Sequence, residues 1–187
     1  MNARLRRGSV ALLGATLLTT GTVTDATGAS THSSDLDKVR FSTARYFDLD
    51  EAVDDGYGEL QDAAGIACID SGDPAAGAMG IHYVNGDLVG DGEVRLRRPE
   101  ALIYEPQSDG DMELVAVEYV VLRSAWRTGH PTGRPRLYDR SFTLVKAGNR
   151  YGLPAFYELH VWAWRANASG RFEDYNPAVS CEFAPAS

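Results

Sequence analysis

Short runs of alternating apolar and polar residues, separated by turn signals, make up most of the chain beyond Gly65. Such runs are typical of β-strands, and glycine-containing pairs such as Asn85-Gly86 mark the turns between them. Within residues 114–122 both alternating faces are apolar, which predicts a central strand that is buried on both sides. The pattern therefore favours a mainly antiparallel sheet.

One helix is predicted, over residues 42–55. Tyr46, Leu49, Ala52 and Val53 recur at the spacing of a single helical face. The opposite face carries a run of aspartates and a glutamate, which indicates a solvated surface rather than a calcium site, because the carboxylates do not form a ligand loop. The predicted fold class is α+β: one N-terminal helix packed on a mainly antiparallel β-sheet that curls into a barrel or sandwich.

Residues 1–29 have the layout of a secretion signal peptide, with three arginines, a short apolar stretch and small residues up to Ala29. The apolar stretch is too short to cross a bilayer, and no later stretch approaches the ~20 apolar residues that a membrane helix needs. We predict a signal peptide over residues 1–29, a flexible tail over residues 30–41 and a single domain over residues 42–187. The mature protein is expected to be secreted, without a membrane partner.

The chain is acidic, with 18 Lys and Arg against 26 Asp and Glu and a formal net charge of −8. Without the three arginines and one aspartate of the predicted signal peptide, 15 basic and 25 acidic residues remain. Phosphate groups are repelled by such a surface, so neither nucleic acid nor an anionic membrane is an expected partner.

Cys68 and Cys181 are the only two cysteines, and both follow the predicted signal peptide. An even number of cysteines in an oxidising compartment favours a disulfide over a catalytic thiol. The alternative is a reactive cysteine paired with His82 or His160, and no neighbouring residue supports it. A disulfide would tie the C-terminus to the early part of the domain.

Four ionisable residues interrupt apolar, strand-like segments: His82, Glu105, Glu118 and His160. Burial of such side chains is unfavourable unless they are paired, hydrogen-bonded or bound to a metal. In one interpretation His82, Glu118 and His160 bind a divalent transition metal such as iron, zinc, manganese or copper, and Glu105 is a fourth ligand or an orienting acceptor. The imidazole nitrogens and the carboxylate oxygen would then lie roughly 3–4 Å apart.

Two other interpretations of these four residues stay open. They could perform acid–base chemistry without a metal in an apolar pocket, where burial shifts their pKa values toward neutrality. Alternatively, each is a core residue that is hydrogen-bonded to a neighbour and only stabilises the fold. The sequence contains no closely spaced ligand motif that would choose among the three interpretations.

Alternation places His160 on the same strand face as Phe156, Trp162 and Trp164. An inward face would form the wall of a cavity, and an outward face would be an aromatic patch. The aromatic residues predicted to line a pocket are Tyr83, Tyr104, Tyr119, Trp162 and Trp164. The predicted function is binding of a small apolar or aromatic molecule in a pocket lined by Tyr, Trp and His, with or without a metal. The alternative is a non-catalytic secreted module that binds a protein or a glycan through exposed aromatic residues.

Six segments in fixed order carry a family resemblance: residues 55–57, 77–85, 98–106, 114–119, 159–164 and 176–181. They contain Gly-Ile-His-Tyr-Val, Leu-Ile-Tyr-Glu-Pro, Val-Ala-Val-Glu-Tyr and Leu-His-Val-Trp-Ala-Trp. Together they resemble an uncharacterised family of secreted single-domain proteins from soil bacteria. The resemblance covers about residues 40–181. It implies export and a single domain, and it implies no activity.

Overall fold

The computed structural model describes residues 27–185. The predicted signal peptide, residues 1–29, therefore lies almost entirely outside the described residues. No helix in the described range is both long and apolar enough to span a lipid bilayer.

The N-terminal part of the domain is helical over a longer stretch than predicted, and the helix is interrupted. Helix α1 spans Thr27–Thr43 and includes the stretch that was predicted to be a flexible tail. A single 3-10 turn, Ala44–Phe47, and a short helix α2, Leu49–Asp54, follow it. Asp48 separates the last two, because its side chain accepts a hydrogen bond from the backbone of Asp50 at 3.0 Å and caps α2.

Seven strands form the main sheet: β1 (Gly58–Glu59), β2 (Cys68–Asp70), β3 (Ala78–Val84), β4 (Ala101–Pro106), β5 (Met112–Leu122), β8 (Thr143–Val145) and β9 (Phe156–Val161). Their order is β1-β3-β4-β5-β9-β8, and β2 also pairs with β3. Every pairing is antiparallel. As predicted, β5 is central, and its residues from Leu114 to Val121 are buried.

The remaining elements connect these strands at the surface. Helix α3 spans Gly86–Gly90 after β3, and helix α4 spans Arg123–Gly129 after β5. A separate two-stranded hairpin consists of β6 (Arg136–Leu137) and β7 (Arg140–Ser141).

The α+β class with a mostly antiparallel sheet is confirmed, but the described strands do not close into a barrel. The outer strands β1, β2 and β8 have only two or three residues each, and β8 pairs with β9 alone. Strands this short offer few backbone hydrogen bonds for closure, which also requires a matched tilt and stagger around the whole sheet. The sheet therefore stays open.

The two faces of the sheet bury different apolar groups. One face packs against α1, the 3-10 turn and α2, and its core includes Leu36, Val39, Tyr46, Tyr104 and Tyr119. The opposite face carries two smaller clusters, one that contains Ile103, Ala116 and Trp162 and one that contains Val89, Val120 and Phe156.

Residues 173–181, here called the C-terminal segment, cover part of this opposite face. Asn176 bridges to Ala78 at the start of β3, and Val179 is buried with Ile103 and Trp162. The predicted disulfide between Cys68 and Cys181 is present, with the two Cα atoms 5.8 Å apart. It anchors the end of the segment to β2.

Candidate metal centre and cavity

Three strands bring His82, Glu118 and His160 together on the face opposite the helices. Glu118 lies in the middle of β5 and is directly opposite His160 of β9. His82 lies on β3, which is separated from β5 by β4, and it pairs with Ile103 of β4. The residue of β4 opposite Glu118 is Ala101. Because the alanine side chain is short, the carboxylate of Glu118 can extend over β4 toward His82.

The contacts among the three side chains are longer than hydrogen bonds. Nε2 of His82 lies 3.6 Å from Oε2 of Glu118, and Nδ1 of His160 lies 3.5 Å from Oε1 of Glu118. One ligand atom from each of the three residues lies within 4.8 Å of the other two. Two ligand atoms bound tetrahedrally to one ion at about 2.1 Å are separated by roughly 3.4 Å. Each of the two nitrogen–oxygen distances is close to this value, and the two rings face different oxygens of Glu118.

Both histidines are buried without a hydrogen-bond partner. His82 is 2% exposed and His160 is 3% exposed. None of their four ring nitrogens has a hydrogen-bond partner among the described residues. Buried polar atoms are nearly always satisfied in folded proteins. One nitrogen of each ring, Nε2 of His82 and Nδ1 of His160, faces Glu118, and a metal ion between them would accept one lone pair from each ring.

Burial sets the protonation state of the cluster. It lowers the pKa of His82 to about 3, with a smaller contribution from His160, and it lowers the pKa of His160 to about 4. Burial also raises the pKa of Glu118 well above its ordinary value, and the nearby Glu158 adds to this shift. At neutral pH both imidazoles are therefore neutral, which is the form that binds metals, whereas burial favours the protonated form of Glu118, which would have to release its proton to a metal ion.

Two further carboxyl groups adjoin the cluster, and neither was among the residues predicted for the site. Glu158 lies two residues from His160 on the same face of β9, its charge helps to raise the pKa of Glu118, and burial raises the pKa of Glu158 to about 7. Asp174 places Oδ1 3.7 Å from Nδ1 of His160, while about half of its side chain is exposed. The indole of Trp162 donates to the carbonyl oxygen of Glu173 at 2.6 Å, which fixes the backbone next to Asp174.

A cavity of about 450 Å³ opens beside the cluster. His82, Glu118, Glu158 and Tyr151 contribute polar groups to its wall. The rest of the wall is mostly apolar and comes from β3, α3, β5, the loop before β9 and β9 itself: Val84, Val89, Val120, Leu122, Leu153, Pro154 and Phe156. A polar inner end with apolar walls is the usual design of a pocket for a small molecule.

The structure places Glu105, the fourth predicted ligand, away from the cluster. It pairs with Glu113, five residues before Glu118 in β5, which corresponds to roughly 16 Å along an extended strand. Its carboxylate accepts hydrogen bonds from the backbone of Ser180 and from Arg165, both at 2.9 Å. Glu105 thus holds the C-terminal segment in place.

None of the five aromatic residues predicted for the pocket is among those that line the cavity: Tyr83, Tyr104, Tyr119, Trp162 and Trp164. Tyr83 and Tyr119 directly follow His82 and Glu118, so the strand pleat turns them to the other face. On that face the hydroxyl of Tyr104 donates to Tyr46 O at 2.7 Å and that of Tyr119 to Leu96 O at 2.6 Å. The cavity takes its aromatic rings from Tyr151 and Phe156 instead.

Trp162 and Trp164 have separate positions. Trp162 is 2% exposed, and its ring centroid lies 6.5 Å from that of His160. The indole of Trp164 donates to Thr43 Oγ1 at 3.3 Å and packs beside Phe47. The aromatic surface around His160 is therefore largely inside the fold.

Comparisons with known proteins give no match: no family model matches the chain, and no curated protein or solved structure is similar to it. The arguments about function therefore rest on the site itself.

Proposed function

We propose that this protein is a secreted protein that binds a small apolar molecule in the cavity, next to a divalent transition metal held by His82, Glu118 and His160. The observation that carries the proposal is the pair of buried imidazoles without hydrogen-bond partners, each of which faces Glu118 with one nitrogen. A cluster that only stabilised the core would be expected to satisfy these nitrogens with hydrogen bonds.

The ligand set suits several metals. Two neutral imidazoles and one carboxylate form sites for zinc, iron, manganese and copper, and affinity among divalent ions generally rises toward copper. A metal with three protein ligands keeps further coordination positions for water or for a bound molecule. Glu118 and His82 line the cavity, so these positions would be accessible from it.

Secretion rests on independent observations. The disulfide between Cys68 and Cys181 is typical of an oxidising compartment, and residues 1–29 have the composition of a signal peptide. The acidic surface is also suited to a soluble exported protein.

Zinc-dependent thermal unfolding tests the metal site. At a free zinc concentration of 100 times Kd, binding stabilises the fold by about 2.7 kcal/mol, which raises Tm by roughly 5–10 °C in a protein of this size. The variants His82→Asn and His160→Asn should lose this shift, because an amide is a poor substitute for a metal-binding imidazole. His130→Asn is the matched control, since His130 stacks on Trp126 in a loop outside the cluster.

The metal site would be ruled out by two results of this experiment. One is wild-type protein whose Tm does not respond to zinc, manganese, copper or iron. The other is a shift of equal size in wild type, His82→Asn and His160→Asn, since binding would then occur elsewhere. Circular dichroism at low temperature shows that each variant is folded before it is compared.

A further inference from the structure

The acidity of this chain is unevenly distributed, and residues 123–146, here called the basic segment, have the opposite charge. They contain six of the 18 basic residues and only one of the 26 acidic residues, which leaves 12 basic and 25 acidic residues elsewhere. The segment comprises α4, the hairpin of β6 and β7, and β8. All its cationic side chains are exposed except that of the half-buried Arg127: Arg123, Arg127, Arg134, Arg136, Arg140 and Lys146.

The cations of the basic segment lack the carboxylate partners that many other cations of the protein have. Within the described part of the chain, no ion pair joins any of the six to a carboxylate, whereas six cations outside the segment each have such a partner: Lys38, Arg40, Arg45, Arg95, Arg150 and Arg165. Like charges that are gathered without counter-charges repel one another and destabilise the fold. The segment is therefore suited to a partner that supplies negative charge.

Neutral hydrogen-bond acceptors hold some of these side chains in place. Arg127 donates to the carbonyl oxygen of Pro131 and to the hydroxyl of Tyr157. Arg136 donates to Ser141 Oγ at 2.7 Å, across the hairpin. Because these acceptors carry no charge, the contacts orient the guanidinium groups and leave their positive charge uncompensated.

The hairpin that carries Arg136 and Arg140 is anchored in the core. Its turn residues, Tyr138 and Asp139, have φ of 51° and 56°, which is the conformation of a two-residue turn that usually contains Gly or Asn. Burial holds Tyr138 in this conformation, since it is 4% exposed and its ring centroid lies 5.5 Å from that of Phe172. The guanidinium of Arg140 lies over the same Phe172 ring, 5.1 Å from its centroid. The two arginines thus extend from a fixed backbone.

The surroundings of these cations favour a hydrophilic partner over a protein. Large apolar side chains that the described surface exposes all lie outside the basic segment: Phe41, Phe47, Val53, Ile66 and Phe183. Protein interfaces usually have an apolar or aromatic centre, and this surface has no such residue to form one.

The aromatic rings near these cations also argue against single-stranded nucleic acid. Such a partner is usually held by open ring faces on which its bases stack. His130 is stacked on the half-buried ring of Trp126, with the centroids 3.6 Å apart, and Arg140 lies over the ring of Phe172. Each of the two rings has therefore already given one face to a side chain of this protein.

We propose that the basic segment binds a linear acidic polysaccharide, whose carboxylate or sulfate groups pair with its arginines. Five of the six cations are arginines, and a guanidinium group can form two parallel hydrogen bonds with such an anion. A narrow chain can follow these cations and keep away from the acidic remainder of the surface, whose charges are screened beyond roughly 8 Å at physiological salt. None of the six side chains lines the cavity, so this site is separate from the proposed metal centre.

Fluorescence anisotropy with a labelled heparin octasaccharide, a linear chain with carboxylate and sulfate groups, tests the proposal. The titrations contain EDTA, so that a metal at the cluster of His82, Glu118 and His160 does not contribute. We expect binding at about 50 mM NaCl that is tenfold or more weaker at about 200 mM NaCl, because contacts between cations and a polyanion release counterions. An uncharged dextran of similar length should not compete.

Two double variants locate the site. Arg136→Gln with Arg140→Gln removes two charges from the hairpin, and Arg123→Gln with Lys146→Gln removes two charges outside it. Each should bind heparin about tenfold more weakly at about 50 mM NaCl and show a shallower dependence on salt. The second variant keeps the test valid if the first does not fold, because Arg123 and Lys146 lie outside the hairpin.

The matched control is Arg45→Gln with Arg95→Gln, which removes the same charge at exposed residues outside the basic segment. It should bind heparin like wild type. Absence of heparin binding at low salt, or equal weakening in the control and in the two test variants, would overturn the proposal. Binding of oligo(dT) or of phosphatidylglycerol vesicles as tightly as heparin would overturn the polysaccharide as the partner.

Discussion

Glu100 is a buried carboxyl group outside the proposed metal centre. It directly precedes β4, is 1% exposed, and accepts a hydrogen bond from the backbone of Val120 at 3.0 Å. Burial raises its pKa from 4.5 to about 8. The fold therefore favours the protonated side chain, and the stability that this provides is complete below pH 4.5 and is lost as the pH rises through 8.

Replacement of Glu100 by Gln should make the free energy of unfolding less dependent on pH. Urea unfolding between pH 5 and pH 9 should show a decrease of several kcal/mol for wild type and a clearly smaller decrease for Glu100→Gln. Glu93→Gln removes an exposed carboxyl and should follow wild type. Equal pH dependence of wild type and Glu100→Gln would contradict this account of Glu100.

Single residues also mark the limit of what the sequence can predict about the site. Ionisable residues within apolar strands are visible in the sequence, and His82, Glu118 and His160 are indeed brought together. Glu158 could have been added, because it lies two residues from His160 on the same strand face. Asp174 has no such signal, since it lies in an irregular segment that is positioned by distant contacts of Trp162 and Asn176.

At the scale of elements, the contact between β3 and the C-terminal segment depends on a glycine. Gly77 has φ of +74°, and a Cβ atom there would lie 2.0 Å from the carbonyl oxygen of Asn176. Gly72 has φ of +77° but open space around it. Both positions disfavour a side chain through their backbone conformation, and only Gly77 adds a steric clash.

The variant Gly77→Ala should therefore destabilise the protein by more than Gly72→Ala. An alanine held in the left-handed backbone conformation costs about 1 kcal/mol at either position. At Gly77 the new Cβ atom must also displace the C-terminal segment, which adds roughly 1–3 kcal/mol. Urea unfolding of both variants measures the difference. Equal stability of the two would show that the segment is not held closely against β3.

Helices and strands could be predicted where the apolar pattern repeats over many residues. They could not be predicted where contacts with other parts of the chain decide where an element begins and ends. β5 has two apolar faces over many residues, so its central position follows from the sequence. The helix predicted over residues 42–55 is divided at Asp48, because a capping carboxylate competes with continued helix. The outermost strands β1, β2 and β8 are too short to show alternation, and pairing with long neighbours defines them.

At the scale of the whole molecule, the disulfide joins parts of the chain that are 113 residues apart. Cross-linking of such a long loop restricts the unfolded chain, so Cys68→Ser with Cys181→Ser should lower the free energy of unfolding by roughly 2–5 kcal/mol. Urea unfolding with and without a reducing agent checks this. A reducing agent should lower the stability of wild type and leave that of the double variant unchanged; any response of the double variant would point to a cause other than the disulfide.

The openness of the sheet was not predictable, because alternation reports which face of a strand is buried and not how many strands pair around it. Polar residues on several apolar strands suggested closure. An open sheet brings these polar residues together equally well. Next to the cluster, the residues of β4 that lie between β3 and β5 are Ala101, opposite Glu118, and Ile103, opposite His82.

The central claim is that the buried cluster of His82, Glu118 and His160 binds a transition metal. The most direct measurement is elemental analysis of protein made without a histidine tag, incubated with zinc, manganese, copper or iron and then freed of loosely bound ions. We predict about one equivalent of bound metal per chain, and loss of that metal in Glu118→Ala. Less than about 0.1 equivalent of every metal, together with no rise in Tm on metal addition, would contradict the claim.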